Sequence, residues 1–84
     1  MSPTIHQEDG YSFYFLSFDV QNEPPHVHVS HARPGAKDAK FWLDPVSIAY
    51  AGRFRNRDLR RMRRIIEEQR EKFLQEWHDY RTRL

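Results

Sequence analysis

Two histidines separated by one residue are the first side chains in the sequence that could do chemistry together. His26 and His28 lie in a segment that alternates polar and apolar residues as far as Val29, which predicts a half-buried strand. Since successive side chains of a strand point to opposite faces, both imidazoles project from one face. One could take the 2′-hydroxyl proton of RNA while the other protonates the leaving oxygen, beside a cation that stabilises the phosphorane. The pair is therefore a candidate metal-independent ribonuclease centre.

Lys40 is the candidate cation for this chemistry. It lies in residues 38–44, whose alternation predicts a strand with Phe41 and Leu43 on its apolar face. The register between the two strands decides which side chains face the histidines. If the valines beside the histidines pack against Phe41 and Leu43, Lys40 comes to lie on the histidine side.

Two alternative roles of the histidine pair stay open. The imidazoles could line one face of a sheet without any chemical role. They could also ligate a metal ion, but two ligands make an incomplete site, and Glu23, His31 or His6 cannot be placed beside them from the sequence. We therefore expect no metal and no cofactor, and enzymatic activity is one alternative among several.

Arginines are concentrated in one segment of the second half of the chain. The formal net charge is only +2, and residues 1–32 contain no Lys or Arg, whereas residues 53–64 hold seven arginines against Asp58 alone. Such a local excess dominates the electrostatic field of a small protein. The predicted nucleic-acid contacts are Arg53, Arg55, Arg57, Arg60, Arg61 and Arg64.

Helix geometry explains why these arginines are candidates for binding. At about 100° per residue, those from Arg57 onward fall opposite the apolar stripe of a predicted helix. Cations in the first helical turn are disfavoured by about 0.3–1 kcal/mol each, so stability alone does not account for Arg57 and Arg60. Free amides at a helix start, beside guanidinium groups, suit phosphate. We expect a polyanion here, and a solvated face with ion pairs such as Arg64–Glu68 is the plain alternative.

A small sheet must hold the histidines. Residues 11–18 are aromatic and uncharged, which predicts a buried strand, and residues 19–25 supply turn residues and two prolines. Strands at 26–29 and 38–44 follow. Residues 46–50 predict either a short fourth strand or an irregular approach to the helix.

One long helix must hold the arginines. From Arg57 onward there is no Gly or Pro, apolar residues recur at helical spacing, and Asn56 is the expected N-cap. The predicted fold class is α+β, with a small antiparallel sheet of three to four strands (about residues 4–50) packed on one long C-terminal amphipathic helix (about residues 57–81). We expect residues 1–84 to form a single domain.

The far end of this helix is the expected partner surface. A helix that reaches residue 81 is about 38 Å long, whereas strands of six or so residues span about 20 Å. The sheet then cannot cover the whole apolar stripe, and a partner subunit, which includes a second copy of the chain, would cover the rest. The residues concerned are Phe73, Trp77, Tyr80 and Leu84. Folding of N-terminal residues over them is the alternative.

Composition narrows the setting in which the chain works. With 84 residues it buries a modest core, and with no cysteine it has no disulfide to reinforce that core. The first residues lack the basic and apolar regions of a signal peptide, and no apolar run approaches the roughly 20 residues that cross a bilayer. We expect a cytoplasmic protein that makes no membrane contact.

Five segments carry a resemblance to a known family. They are TIHQEDGYSF (4–13), NEPPHVHV (22–29), AKFWLDPV (39–46), LRRMRRIIEE (59–68) and WHDY (77–80). They resemble a small prokaryotic family catalogued as domain of unknown function 4160, and the likeness runs over nearly the whole chain. The resemblance implies the toxin side of a two-gene toxin–antitoxin arrangement, with a small cognate antitoxin-like partner. It does not imply a particular biochemical activity.

Two functions are consistent with these patterns. The first is a toxin of a type II toxin–antitoxin pair that cuts or occupies RNA held through the arginine-rich helix. The second is a non-catalytic regulatory module whose arginines bind DNA or an acidic partner protein. We favour RNA over DNA, since no helix-turn-helix or zinc-finger pattern is visible.

Overall fold

The computed structural model describes residues 4–31 and 38–84. Within these residues the chain forms five strands and three helices. In chain order they are β1 (Thr4–Glu8), β2 (Tyr11–Tyr14), α1 (Ser17–Asn22), β3 (His26–His31), β4 (Ala39–Leu43), β5 (Val46–Tyr50), α2 (Asn56–Glu68) and α3 (Arg70–Arg83). The strands form one antiparallel sheet in the order β1-β2-β3-β4-β5, so each strand pairs with its neighbour in sequence. The α+β class is confirmed, with one strand more than the three to four predicted.

A two-residue turn joins β1 to β2. Asp9 and Gly10 both have positive φ, at 53° and 83°. These values belong to the tight hairpin turn whose twist matches that of the paired strands, and Asp-Gly is one of its preferred sequences. The Asp-Gly dipeptide is therefore the local sequence signal for the β1–β2 hairpin. The strand β1 was not among the strands predicted individually.

The two faces of the sheet differ in character. Val27 lies opposite Phe41 across β3 and β4, and both join Phe13 of β2 in the core that packs against α2 and α3. His28 lies opposite Lys40. Because side chains alternate along a strand, His28 and Lys40 project from the face opposite to the core. The observed register is thus the one that places Lys40 on the same face of the sheet as the histidines.

The segment after β2 is a helix and not the predicted strand and turn. The strand ends at Tyr14, and α1 occupies Ser17–Asn22, with Val20 fully buried and Phe18 79% exposed. The carbonyl of Leu16 accepts hydrogen bonds from the Asp19 and Val20 backbone amides, which starts the first turn. Six residues are too few for a helical period to be visible in the sequence, which is why the prediction was wrong here.

The predicted long helix is two helices joined by a kink. Gln69, between α2 and α3, has φ −102° and ψ 10°. Helical hydrogen bonds continue on both sides of it, from the Gln69 amide to the Ile65 carbonyl and from the Phe73 amide to the Gln69 carbonyl, each at 2.9 Å. Arg70 donates to the Leu43 carbonyl of β4 at 2.9 Å. The helical region is thus interrupted at Gln69, and Arg70 connects the start of α3 to the end of β4.

The end of the helical region is covered by the chain itself. Phe73 and Trp77 are fully buried, Tyr80 is partly buried against the core, and Leu84 is 50% exposed. Phe15 packs edge-on against Trp77, with ring centroids 5.2 Å apart. This corrects the prediction that a partner covers Phe73 and Trp77, since their cover is intramolecular.

None of the helices in the described part of the chain is long and apolar enough to cross a bilayer.

Candidate functional site

Asp19 brings the two predicted histidines into one cluster. Its Oδ2 atom lies 3.1 Å from His26 Nε2 and 2.9 Å from His28 Nε2. The aspartate comes from α1, and the histidines come from the same face of β3. The cluster therefore depends on where the short helix sits over the end of the sheet. We call these three residues the histidine–aspartate cluster.

His26 is the buried member of the cluster. It has no exposed surface, and its ring lies 5.5 Å from Trp42 and 5.0 Å from Trp77, measured between centroids. Its Nδ1 atom lies 3.0 Å from the Pro24 carbonyl oxygen. A carbonyl only accepts hydrogen bonds, so Nδ1 carries a hydrogen and donates it. The ring orientation is fixed by this bond and by the two tryptophans.

His28 and Lys40 are the members of the predicted catalytic set that reach the surface. Their side chains are 14% and 20% exposed. The His28 ring stacks on Tyr14 at 5.4 Å, and the Lys40 ammonium pairs with Glu23 and lies 4.6 Å from the Trp42 ring centroid. The structure thus brings His26, His28 and Lys40 close together, but only the latter two present atoms to a molecule outside.

The environment shifts the pKa values of the cluster. Burial raises the pKa of the Asp19 carboxyl, but hydrogen bonds from His28 and His26 outweigh it, so this pKa lies below its ordinary value. Burial, which disfavours the charged imidazole, holds the pKa of His28 below its ordinary value although the Asp19 carboxylate opposes that shift. His28 is therefore neutral at pH 7.

Tyr14 and Asp38 form a second polar pair on the same face of the sheet. The Tyr14 hydroxyl donates to Asp38, and Tyr14 itself is buried. Burial, together with this hydrogen bond and the charge of Asp38, raises the pKa of Tyr14 far above its ordinary value. Tyr14 is therefore a neutral hydrogen-bond donor that supports the His28 ring.

The six predicted nucleic-acid contacts, Arg53, Arg55, Arg57, Arg60, Arg61 and Arg64, are all exposed. We call them the arginine surface. The last four lie on α2 opposite Leu59, Met62 and Ile66, which are buried, so the expected solvent-facing side is the observed one. Arg53 and Arg55 precede the helix. Arg63, outside this set, donates to the Val46 carbonyl and pairs with Glu67.

Acidic residues neutralise only part of the arginine surface. Arg64 pairs with Asp9 at 3.3 Å and with Glu68 at 3.8 Å. Arg53 and Arg60 have no ion pair within residues 4–31 and 38–84. The arginine surface thus keeps a positive excess that the described part of the chain does not cancel.

Asp58 fixes the start of α2 to the sheet. It accepts a hydrogen bond of 2.7 Å from the Tyr11 hydroxyl and one from the Arg55 backbone amide. The Tyr11 hydrogen bond, with smaller contributions from the Arg55 amide and the charges of Arg57 and Arg61, holds the pKa of Asp58 below its ordinary value. The N-cap is Arg55 and not Asn56 as predicted, since the Asp58 side chain reaches back to the capping amide.

The arginine surface and His28 lie on opposite sides of the sheet, whereas the buried His26 also contacts Trp77 of the core. The core residues of α2 pack on the face that carries Val27 and Phe41, whereas His28 and Lys40 project from the other face. The arginines point away from that core. The sequence-based hypothesis assigned RNA binding to the arginine-rich helix and cleavage to His26, His28 and Lys40. The structure places these two sets of residues apart, and RNA binding and cleavage both stay predictions.

Asp19 is the residue that sequence reasoning missed. It lay in a segment interpreted as a turn, so no position beside the histidines could be assigned to it. The only signal in the sequence is an acid seven residues before His26. That spacing brings the two together only because α1 intervenes.

These features define an α+β domain with a five-stranded meander, a histidine–aspartate cluster on one side and an arginine-covered helix on the other. Comparison with known families shows to which family this domain belongs. The chain matches the family described as Domain of unknown function (DUF4160) over residues 10–78, and it belongs to that family. The match includes both the cluster and the arginine surface. No curated protein and no solved structure matches the chain.

Proposed function

We propose that the chain binds RNA through the arginine surface and acts as the toxin side of a two-gene toxin–antitoxin pair by occupying that RNA. Occupation is favoured over cleavage because His26 has no exposed surface and Lys40 is already paired with Glu23. A catalytic acid or base must touch the substrate to transfer a proton. Binding needs only the exposed guanidinium groups.

The observation that carries the proposal is unneutralised positive charge on the first turns of α2. Arg57 and Arg60 are exposed there, at the end of a helix where the dipole disfavours cations. Asp58 is the one acid in that turn, and its single negative charge offsets only part of the positive charge of the arginines around it. A bound polyanion removes the repulsion among the arginines, and each guanidinium can donate two parallel hydrogen bonds to a phosphate.

RNA is the polyanion that fits this surface best. The arginines project from one helix and a short preceding segment, and the elements of residues 4–31 and 38–84 do not form a helix-turn-helix or zinc-finger unit that would place this helix in the DNA major groove. Backbone contacts by guanidinium groups need no base readout and suit single-stranded or irregular RNA. The chemistry recognised is thus a phosphodiester backbone and not a particular sequence.

Fluorescence anisotropy with a labelled single-stranded RNA tests the proposal. The variant Arg57→Gln/Arg60→Gln removes two charges from the arginine surface. The matched control, Arg81→Gln/Arg83→Gln, removes two charges from the exposed end of α3. We expect the first variant to bind RNA at least about tenfold more weakly and the control to stay within about twofold of the wild type, because only the first removes guanidinium groups that bind phosphate. Equal weakening of RNA binding in both variants would show that RNA does not bind specifically to the arginine surface.

The toxin part of the proposal has its own test. Induced expression of the wild-type chain should arrest bacterial growth, and the Arg57→Gln/Arg60→Gln variant should restore it while the α3 control does not. Absence of arrest by the wild type removes the toxin assignment and leaves RNA binding to be judged by anisotropy alone. If the chain instead forms an arginine-dependent complex with an acidic protein and does not bind RNA, the RNA-binding proposal is rejected and the regulatory-module alternative takes its place.

A further inference from the structure

We propose that Asp19, His26 and His28 form a binding site for one divalent transition-metal ion. The three candidate ligand atoms, one from each residue, all lie within 4.8 Å of one another. Two imidazole nitrogens and one carboxylate oxygen are a donor set that binds Zn²⁺ and Fe²⁺ in proteins. The sequence left this site incomplete because its third donor comes from α1.

The spacing of the donor atoms suits a metal ion. Bonds of about 2.0–2.1 Å, at the angles of tetrahedral or octahedral coordination, place neighbouring ligand atoms about 2.9–3.4 Å apart. Asp19 Oδ2 lies 3.1 Å from His26 Nε2 and 2.9 Å from His28 Nε2. These two separations fall in that range, and all three ligand atoms lie within 4.8 Å of one another, so one ion can be reached by all three residues.

The hydrogen bonding of His26 provides independent support. Its Nδ1 hydrogen is donated to the Pro24 carbonyl, so in a neutral ring Nε2 presents a lone pair. Nε2 faces Asp19 Oδ2 at 3.1 Å. A second ring proton makes this contact the hydrogen bond described above, and a metal ion bound to both atoms would take the place of that proton. A backbone carbonyl on the far nitrogen is also the usual support of a metal-bound histidine.

The surroundings of the cluster allow a metal ion to enter. His26 is fully buried, whereas the Asp19 and His28 side chains are 15% and 14% exposed, which gives the site one open side. Lys40 faces His28 across the strands, and Glu23 pairs with it. Its charge is thus partly offset. Three protein ligands leave at least one coordination position for water or a substrate.

Zinc titration of the untagged full-length chain against a chromogenic chelator tests the proposal. We expect one Zn²⁺ per chain, with Asp19→Asn and His28→Gln each weakening binding at least about tenfold, because each removes a ligand. His78→Gln is the matched control, since His78 is an exposed histidine on α3. It should leave the affinity within about twofold. Circular dichroism of each variant checks that it remains folded.

Cobalt provides a second readout that folding alone does not change. Co²⁺ bound by two imidazoles and a carboxylate gives visible ligand-field absorption, which the wild type and His78→Gln should show at one equivalent. Folded His28→Gln without that band supports the site. Zinc affinity that is equal in wild type, Asp19→Asn and His28→Gln would overturn it, as would binding of less than one Zn²⁺ per chain. Neither result depends on RNA binding by the arginine surface, which lies on the other side of the sheet.

Discussion

Two aspartates connect separate elements of this protein through single carboxylate groups. Asp19 of α1 contacts both histidines of β3, and Asp58 of α2 accepts the Tyr11 hydroxyl of β2. Both have pKa values below the ordinary range because these hydrogen bonds stabilise the charged form, in Asp19 against the effect of burial. At the residue scale, each carboxylate thus fixes a helix to the sheet, and each contributes to stability only while it is ionised.

Replacement of Tyr11 by Phe should raise the pKa of Asp58 toward its ordinary value. The Tyr11 hydrogen bond is the largest cause of the lowered pKa, and the Arg55 amide and nearby arginine charges remain in the variant. NMR titration of the Asp58 carboxyl carbon measures the shift. Tyr50→Phe is the control, because Tyr50 is 55% exposed on β5. An unchanged Asp58 pKa in Tyr11→Phe would contradict the role assigned to this bond.

The same variant should change how stability depends on pH. Since the pKa of Asp58 is lower in the folded chain than in the unfolded chain, its contribution is present above the unfolded pKa and is lost as pH falls through the folded pKa. Tyr11→Phe brings the two pKa values closer. The free energy of unfolding is measured with urea at about pH 7 and about pH 3. Its decrease between the two pH values should be smaller in the variant than in the wild type.

At the scale of elements, the kink at Gln69 decides what the helical region can bury. It places Phe73 and Trp77 in the core and lets Arg70 donate to the Leu43 carbonyl at the end of β4. The chain itself thus covers Phe73 and Trp77, for which the helix length had suggested a partner.

Truncation of Phe73 should destabilise the chain far more than truncation of Leu84. Phe73→Ala removes a fully buried ring and should cost about 3–5 kcal/mol, which approaches the total stability of many small domains. Leu84→Ala, at a half-exposed position, should change stability by no more than about 0.5 kcal/mol. Urea unfolding followed by circular dichroism measures both. Equal stability of the two variants would mean that the chain does not cover Phe73 as described.

Arg70 offers a test of the packing between the kink and the sheet. Arg70→Met keeps the aliphatic stem but removes the hydrogen bond to Leu43 and the pairing with Asp44. We expect the free energy of unfolding to fall by about 1 kcal/mol, less than for a buried charged hydrogen bond because the side chain is 37% exposed. Arg60→Met, at an exposed position, should cost less than about 0.5 kcal/mol by the same urea measurement.

Local patterns predicted those elements whose periodicity is visible in the sequence. Alternation around Val27 and Phe41 correctly predicted β3 and β4, and the open choice for residues 46–50 resolves as a strand. The spacing of apolar residues likewise predicted the helical region and its exposed arginines. The kink was not predictable, because no Gly or Pro marks Gln69.

The candidate site was only half visible in the sequence. Spacing alone placed His26 and His28 on one face, and register reasoning brought Lys40 beside them. Asp19 depends on the position of a six-residue helix, and the burial of His26 depends on Trp77, which is distant in sequence. Such contacts arise from tertiary packing, so the pattern that reveals the histidines cannot reveal what surrounds them.

For the whole molecule, the sheet separates two chemistries. One side carries nitrogen and carboxylate donors around Asp19, and the other carries α2 with its outward-facing guanidinium groups. Separation predicts independence: His28→Gln should bind RNA with wild-type affinity, and Arg57→Gln/Arg60→Gln should bind Zn²⁺ with wild-type affinity. Anisotropy and zinc titration on both variants measure this. Weakening of both affinities in either variant would mean that the two surfaces form one site.

The salt dependence of RNA binding tests the central claim, that the arginine surface holds a phosphate backbone, most directly. The logarithm of the dissociation constant should rise linearly with the logarithm of the salt concentration, since bound phosphates release counterions. The slope should fall in Arg57→Gln/Arg60→Gln by about 0.7 for each single-strand phosphate that the variant no longer neutralises, and it should stay unchanged in Arg81→Gln/Arg83→Gln. A dissociation constant that does not change with salt, or the same slope in all three proteins, would contradict the account.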